Sequence, residues 1–229
     1  MTDLHQIDPP KSIEFDDLYF SADNGLAESK FVFLDGNKLP ETWLEPDRFV
    51  ICETGFGTGL NFLSAWKLFE ETTDPQQSLD FISFEKYPLD AEKIGLYLQP
   101  WLTFFDGRLQ KLVLHYPPKI PGFHRIVLNE RVTLTLIFDD INDAIPKLVA
   151  DVDAWFLDGF KPSTNPDMWS DTVMENMARL SRKGTRLATF TAAGKVRRGL
   201  IAAGFFVEKV TGFGRKREMI IGCFAGKET

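Results

Sequence analysis

The sequence predicts an α/β fold built on a mostly parallel, doubly wound sheet that ends in an antiparallel hairpin. Three observations predict it. From Arg48 onward, short apolar runs alternate with segments whose apolar residues recur at helical spacing. That alternation implies parallel strands joined by crossover helices and covered on both faces. The last two apolar runs, residues 205–210 and 219–224, lie only about eight residues apart. That is too short for a crossover helix, so the two pair antiparallel. Finally, the loops richest in Gly and acidic residues follow strands directly, where a doubly wound sheet binds its ligand. A chain of 229 residues, 44% of them hydrophobic, suits one such domain with a small N-terminal arm.

Residues 1–47 read as that arm, packed on a main domain of residues 48–229. Helix signals in the arm are few. Residues 16–20 and 31–34 read as extended segments, with turns at Asp23-Asn24-Gly25 and Asp35-Gly36-Asn37. Residues 49–52 form a buried strand, and Leu60, Leu63, Ala65, Trp66, Leu68 and Phe69 mark a helix over 60–71. A second strand at 79–84 leads to a helix at 88–97. Residues 98–122, with Pro100, Pro117, Pro118 and Pro121, read as irregular. Residues 126–128 and 132–138 flank Asn129-Glu130-Arg131 and predict a hairpin. A short helix at 141–150, a strand at 154–157, a helix at 167–180, a strand at 187–190 and a helix at 195–203 lead to the closing hairpin.

Several classes are excluded. Residues 1–11 are polar and lack the apolar stretch of a signal peptide. No run approaches the ~18 apolar residues of a membrane span. The two cysteines, Cys52 and Cys223, lie in apolar strands and offer neither a disulfide framework nor metal-ligand spacing. The simplest reading is a cytoplasmic protein without a metal. The net charge of −7 conceals an asymmetry: residues 1–178 carry 30 acidic and 14 basic side chains, residues 179–229 carry 3 and 12. A phosphate-rich partner would feel that basic last fifth, although a basic surface could equally balance the acidic one.

The first chemical motif is Glu53-Thr54-Gly55-Phe56-Gly57-Thr58-Gly59-Leu60-Asn61, between a strand and a helix. Glycines allow a sharp turn and close approach to a ligand, and the helix start offers free N–H groups. A dinucleotide site needs its third glycine where Leu60 stands. Gly55, Gly57 and Gly59, with Glu53 at the strand end, instead suit the methionine part of S-adenosylmethionine. No Lys-Ser/Thr pair follows, which excludes a Walker loop. Glu85, at the tip of the second strand with Lys86 beside it, can accept from both hydroxyls of a ribose. After residues 134–138 come Asp139-Asp140-Ile141. An acid there either caps the next helix or accepts from an adenine amino group, with Ile141 covering the ring.

The strand at 154–157 leads into Asp158-Gly159-Phe160, followed by a segment with Asn165 and Trp169. Methyl transfer is an in-line displacement by a lone pair, so an amine acceptor must react in its neutral form. A carboxylate at Asp158 could orient the amine and take up its proton, or it could merely cap the loop. Phe160 and Trp169 could shield the site, stack on a base or favour the cationic sulfonium. The layout is that of a class I S-adenosylmethionine-dependent methyltransferase, Rossmann-like, with a mostly parallel seven-stranded sheet.

Residues 53–62 (ETGFGTGLNF) and 156–169 (FLDGFKPSTNPDMW) resemble the methyltransferase domain of the MnmC family, bifunctional enzymes of tRNA 5-methylaminomethyl-2-thiouridine synthesis. Residues 15–34, 81–88, 187–199 and 212–219 extend the resemblance, in order, over nearly the whole chain. The resemblance implies conversion of 5-aminomethyl to 5-methylaminomethyl on the wobble (2-thio)uridine, with S-adenosylmethionine as cofactor. It implies Asp158 as the key acid, Glu85 on the ribose and Asp140 on the adenine side. It also implies a flavin-dependent oxidase, fused or separate, that supplies the aminomethyl precursor. The chain carries no flavin fingerprint and reads as a free-standing relative or an excised domain.

For the anticodon stem-loop, the candidate phosphate contacts are Lys195, Arg197 and Arg198 at a helix start and Arg215, Lys216 and Arg217 in the last hairpin turn. A loop base can be splayed out onto aromatic side chains. Two other readings share the cofactor motifs: a methyltransferase of another amine, small molecule or protein, and a non-catalytic nucleotide-binding module.

Overall fold

The computed structural model describes residues 9–226 apart from 13, 22 and 23. Residues 1–8 of the expected arm and Asp23 of the first expected turn lie outside them. Helix α1 (Gly25–Ser29) runs into a wide π-type turn at Lys30–Leu34. Strand β1 (Arg48–Glu53), helix α2 (Leu60–Thr72) and strand β2 (Ser78–Phe84) follow. Helices α3 (Ala91–Leu98), α4 (Leu102–Phe105) and α5 (Arg108–His115) precede the hairpin of β3 (Gly122–Val127) and β4 (Val132–Phe138). Then come α6 (Ile141–Ala144), β5 (Val152–Phe156), α7 (Asp171–Leu180), β6 (Ser181–Thr189), α8 (Gly194–Ala202), β7 (Phe205–Thr211) and β8 (Glu218–Phe224).

The strands form one sheet in the order β3-β4-β2-β1-β5-β6-β8-β7. β4, β2, β1, β5 and β6 run parallel, and β8 pairs antiparallel with both β6 and β7. The strand order reverses at β1, which pairs β2 on one side and β5 on the other. A crevice opens at such a switch point beyond the carboxyl ends of the strands. Glu53 ends β1, level with Ser83 and Phe156, so Glu85 and Asp158, each two residues beyond those partners, converge on its loop.

The central strands bury nearly every residue, as strands covered on both faces must. Their alternation divides the core into two layers. Phe49, Ile51, Leu79 and Phe81 pack with α2 through Phe62, Leu63, Trp66 and Phe69. Val50, Cys52, Ile82, Phe84 and Trp155 pack on the other face with Met174, Met177 and Leu200.

Three expectations change. The sheet has eight strands among the described residues, not seven: the hairpin expected around residues 129–131 supplies both β4 and the edge strand β3, in six-residue antiparallel register. Residues 31–34 are helical rather than extended. The Asn24 side chain caps α1 by accepting from the Ala27 N–H at 3.0 Å, which is worth about 1 kcal/mol. Val32, Phe33 and Leu34 are all buried, a run of three that a strand with one solvated face cannot supply but a helical turn against a core can. Residues 98–122 are mostly helical: α4 and α5 are separated by left-handed Asp106 and Gly107, and Leu109 and Leu112 bury the inner face of α5. Among the described residues no helix is long and apolar enough to cross a membrane.

Candidate active site

A cavity of about 440 Å³ opens at the switch point. Its floor is the loop between β1 and α2, through Thr54, Gly55, Phe56, Gly57, Thr58 and Asn61. Glu85 and Lys86 enter it from the end of β2, Asp139, Asp140 and Ile141 from the end of β4, and Asp158 and Phe160 from the end of β5, with Asn165 further along. The structure thus brings these sequence-predicted residues into one space. Phe15, Tyr19, Glu28 and Phe190 also line it and were not singled out in the sequence.

The glycines let the loop take this shape. Gly57 has φ +54° and Gly59 φ +79°, a region that favours glycine. A Cβ on Gly57 would lie 3.2 Å from the Tyr19 ring, inside the cavity, so the bare backbone keeps the cradle open. Gly59 does not line the cavity; a Cβ there would lie 2.7 Å from Phe56 Cζ and 3.3 Å from Leu112. Because Phe56 is itself buried and its ring cannot withdraw, Gly59→Ala is expected to cost about 1–3 kcal/mol. Urea unfolding would show this as a lower midpoint with an unchanged slope.

Two carboxylates, Glu53 fully buried and Asp158 partly buried, share one amide beneath the loop. Asn61 Nδ2 donates to Glu53 Oε1 at 2.9 Å and to Asp158 Oδ2 at 2.6 Å. Asn61 Oδ1 accepts from the Ser29 hydroxyl at 2.6 Å, and Ser83 Oγ donates to Glu53 Oε2 at 2.7 Å. Burial, and next the charge of Asp158, push Glu53 well above the usual carboxylate range. Glu53 is fully buried and stands behind the cavity wall, so it acts on the cavity through Asn61. Asp158 Oδ1 accepts from the Gly159 N–H at 2.8 Å. Burial raises the Asp158 carboxyl to about 6, against the opposing hydrogen bonds from Gly159 and Asn61.

Glu85 accepts the Gly57 N–H through Oε2 and the Tyr87 N–H through Oε1, both at 2.8 Å. Each oxygen keeps a second lone pair for a ligand hydroxyl. Burial raises its pKa. Asp140 is the helix cap that the sequence left open: it accepts from the Asn142 N–H at 2.9 Å and pairs with Lys86 at 2.8 Å. It lines the cavity as well, so capping and ligand contact are compatible at this residue.

Other expected residues lie elsewhere. Trp169 is 4% exposed and packs in the core layer with Met174 and Val173, so it cannot stack on a substrate base. The short 3-10 turn Asp167–Trp169 directs it inward against α7. Phe160 does face the cavity, where it stacks on Phe15 at 4.5 Å and meets Tyr19 at 5.7 Å. Lys195, Arg197 and Arg198 are exposed on α8 and do not line the cavity; nor do Arg215 and Arg217, exposed in the β7–β8 turn. Lys216 differs from its neighbours. It lines the cavity, pairs with Glu28 at 2.7 Å and stands 4.4 Å from the centre of the Phe190 ring.

Comparison with known proteins follows the same outline. Residues 105–225 match a family described as S-adenosyl-L-methionine-dependent methyltransferase. The chain is 51% identical, over 96% of its length, to the tRNA 5-methylaminomethyl-2-thiouridine biosynthesis bifunctional protein MnmC of Aliivibrio fischeri. It is 53% identical, over 95% of its length, to the protein of that name in Vibrio cholerae. The chain spans about a third of the length of these curated relatives, 34% in each case. A crystal structure of MNMC2 from Aquifex aeolicus shares the fold, with a TM-score of 0.71 at 22% identity, over 94% of this chain and 67% of that one.

Proposed function

This chain belongs to the S-adenosyl-L-methionine-dependent methyltransferase family, and we propose that it methylates the amine of 5-aminomethyl-(2-thio)uridine at the wobble position of tRNA, giving 5-methylaminomethyl-(2-thio)uridine. The observation that carries this reading is the convergence of Asp158, the glycine loop and Glu85 on one cavity. The names of the relatives at about half identity supply the substrate.

The donor set fits the cofactor. Gly55 and Gly57 leave backbone bare for close approach, Glu85 offers carboxylate lone pairs to a ribose, and Ile141 offers an apolar surface beside Asp139 and Asp140. Lys86 fixes Asp140, and Thr54 fixes the Asp158 backbone by donating to its carbonyl oxygen. When bound, S-adenosyl-L-methionine supplies an electrophilic methyl group on a sulfonium.

The remaining chemistry falls to side chains of this protein. Asp158 holds the acceptor ammonium and takes its proton, which leaves the nitrogen lone pair free. A carboxyl raised to about 6 by burial is a stronger base than a free one and is still ionised at neutral pH. Asn61 and Gly159 hold it in place by hydrogen bonds. Phe160 and Phe15 shield the site from water. Because Asp158 must start ionised, kcat/KM is expected to fall tenfold per unit as pH drops below about 6. A profile flat from pH 7 to 5 would rule out this base.

Arg215 and Arg217, with Lys195, Arg197 and Arg198, supply contacts to the phosphates of the anticodon stem-loop. A flavin-dependent oxidase, fused or separate, supplies the aminomethyl precursor, and the setting is cytoplasmic. The direct test is nucleoside mass analysis of tRNA bearing aminomethyluridine, before and after incubation with the protein and labelled cofactor. Absence of label in the wobble nucleoside would refute the substrate. Arg215→Ala with Arg217→Ala is expected to weaken tRNA binding and to lower its salt slope by about 1 for each phosphate no longer neutralised. Calorimetry with S-adenosylhomocysteine should show its affinity unchanged.

A further inference from the structure

The wall of the cavity holds a carboxylate to which the sequence reading assigned no role. Glu28, on α1, lines the cavity, and its side chain is 13% exposed. Its partner is a cation from the far end of the chain, Lys216 of the β7–β8 turn, at 2.7 Å. Lys216 Nζ also stands over Phe190, which lines the same cavity. A carboxylate, an ammonium and an aromatic face therefore lie together in the wall of the candidate active site. The next residue in sequence, Ser29, donates to Asn61, which donates to Asp158. Glu28 is thus held, through α1, in the frame that holds Asp158. The fields of both Glu28 and Lys216 are felt at Asp158, in opposite directions.

We propose that Glu28 and Phe190 form the recognition site for the acceptor's ammonium group, and that Lys216 occupies that site until the acceptor displaces it. The proposal rests on the amine-transfer reading and adds the residue that selects a charged acceptor. A carboxylate backed by an aromatic ring favours a cation over a neutral group of the same shape. The Lys216 ammonium is a chemical stand-in for the protonated aminomethyl group. Once displaced, Lys216 sits on the same hairpin turn as Arg215 and Arg217 and is available to a phosphate. Asp158 then receives the proton from an amine that Glu28 has selected, so the two carboxylates divide selection from deprotonation.

The test compares two probes with the protein saturated in S-adenosylhomocysteine: 5-aminomethyluridine and its neutral isostere 5-hydroxymethyluridine, titrated by NMR. The wild-type protein is expected to prefer the amine by about tenfold or more, the scale of one charge-assisted contact. Glu28→Gln is expected to cut the preference to about threefold or less, while S-adenosylhomocysteine affinity stays unchanged. An unchanged preference in folded Glu28→Gln would overturn the proposal, as would a wild-type protein without preference. If Glu28→Gln fails to bind S-adenosylhomocysteine, Lys216→Met decides: freeing Glu28 should widen the preference, and a narrowed or unchanged one would overturn the proposal. The tRNA labelling assay separates this from the broader reading. Wild-type transfer to tRNA together with a silent Glu28 refutes only the recognition site, whereas no transfer refutes the amine-transfer reading.

Discussion

Asp158→Asn is expected to lower the rate of methyl transfer by about 10²–10⁴-fold, the usual contribution of a positioned general base. The substitution preserves shape, removes the ability to take a proton and, like the protonated acid, leaves one acceptor oxygen where the carboxylate offers two. Because Glu85, Ile141 and the glycine loop are untouched, affinity for S-adenosylhomocysteine should change by about threefold or less. The same variant is expected to be more stable than the wild type. The sign follows from the raised carboxyl: its folded value, about 6, lies above its ordinary 3.8. The unfolded chain therefore releases the proton more readily, and ionisation costs the folded state above pH 6, but not below pH 4. At neutral pH the shift corresponds to at most about 3 kcal/mol, less what the half-buried group recovers from solvent. Thermal unfolding at pH 7.5 should show the variant melting a few degrees higher, and at pH 4 the difference should vanish. A full transfer rate in folded Asp158→Asn would remove Asp158 from the chemistry.

The second large effect is expected at Asn61, whose three hydrogen bonds tie α1, β1 and the end of β5 together. Asn61→Leu fills similar volume but removes one donor from each of two carboxylates, one of them fully buried. It also strands the Ser29 hydroxyl. Losing one donor from each carboxylate, with the hydroxyl stranded, costs about 3–5 kcal/mol, which for a chain of this size means a melting temperature lower by roughly 6–20 °C. The loss should depend on pH in a definite direction. Asn61 favours the ionised form of both acids, so its removal raises their pKa values further. The destabilisation is therefore greatest at pH 8 and shrinks as protonation relieves the unpaired charges towards pH 5. Denaturant unfolding at both pH values measures this. An equal loss at each would show that packing, rather than charge, is what Asn61 supplies.

The two substitutions probe parts of the site that differ in how far the sequence disclosed them. Glu53, Glu85 and Asp158 were legible because each lies at the carboxyl end of a strand or within two residues beyond it, and a doubly wound sheet opens its crevice there. What each does there was not equally legible. Glu53 was expected at the ligand, yet it lies behind the wall and reaches the cavity only through Asn61. Trp169 was expected over a base, but a single 3-10 turn carries it into the core. Glu28 and Phe190 gave no motif, since each needs a partner from a distant part of the chain to mean anything: Glu28 meets Lys216 across 188 positions.

The sequence by itself determined the local frame: apolar periodicity set which segments become strands and helices, the glycine spacing set the loop after β1, and the short final connection set the antiparallel hairpin. Those properties depend on neighbours a few residues away. Only the tertiary structure decided that residues 31–34 coil rather than extend, that residues 98–122 are mostly helical, and that α1 brings a carboxylate to the wall of the cavity. In each case the outcome depends on burial against surfaces far away in sequence, and that free energy exceeds the small local preferences readable from the chain alone.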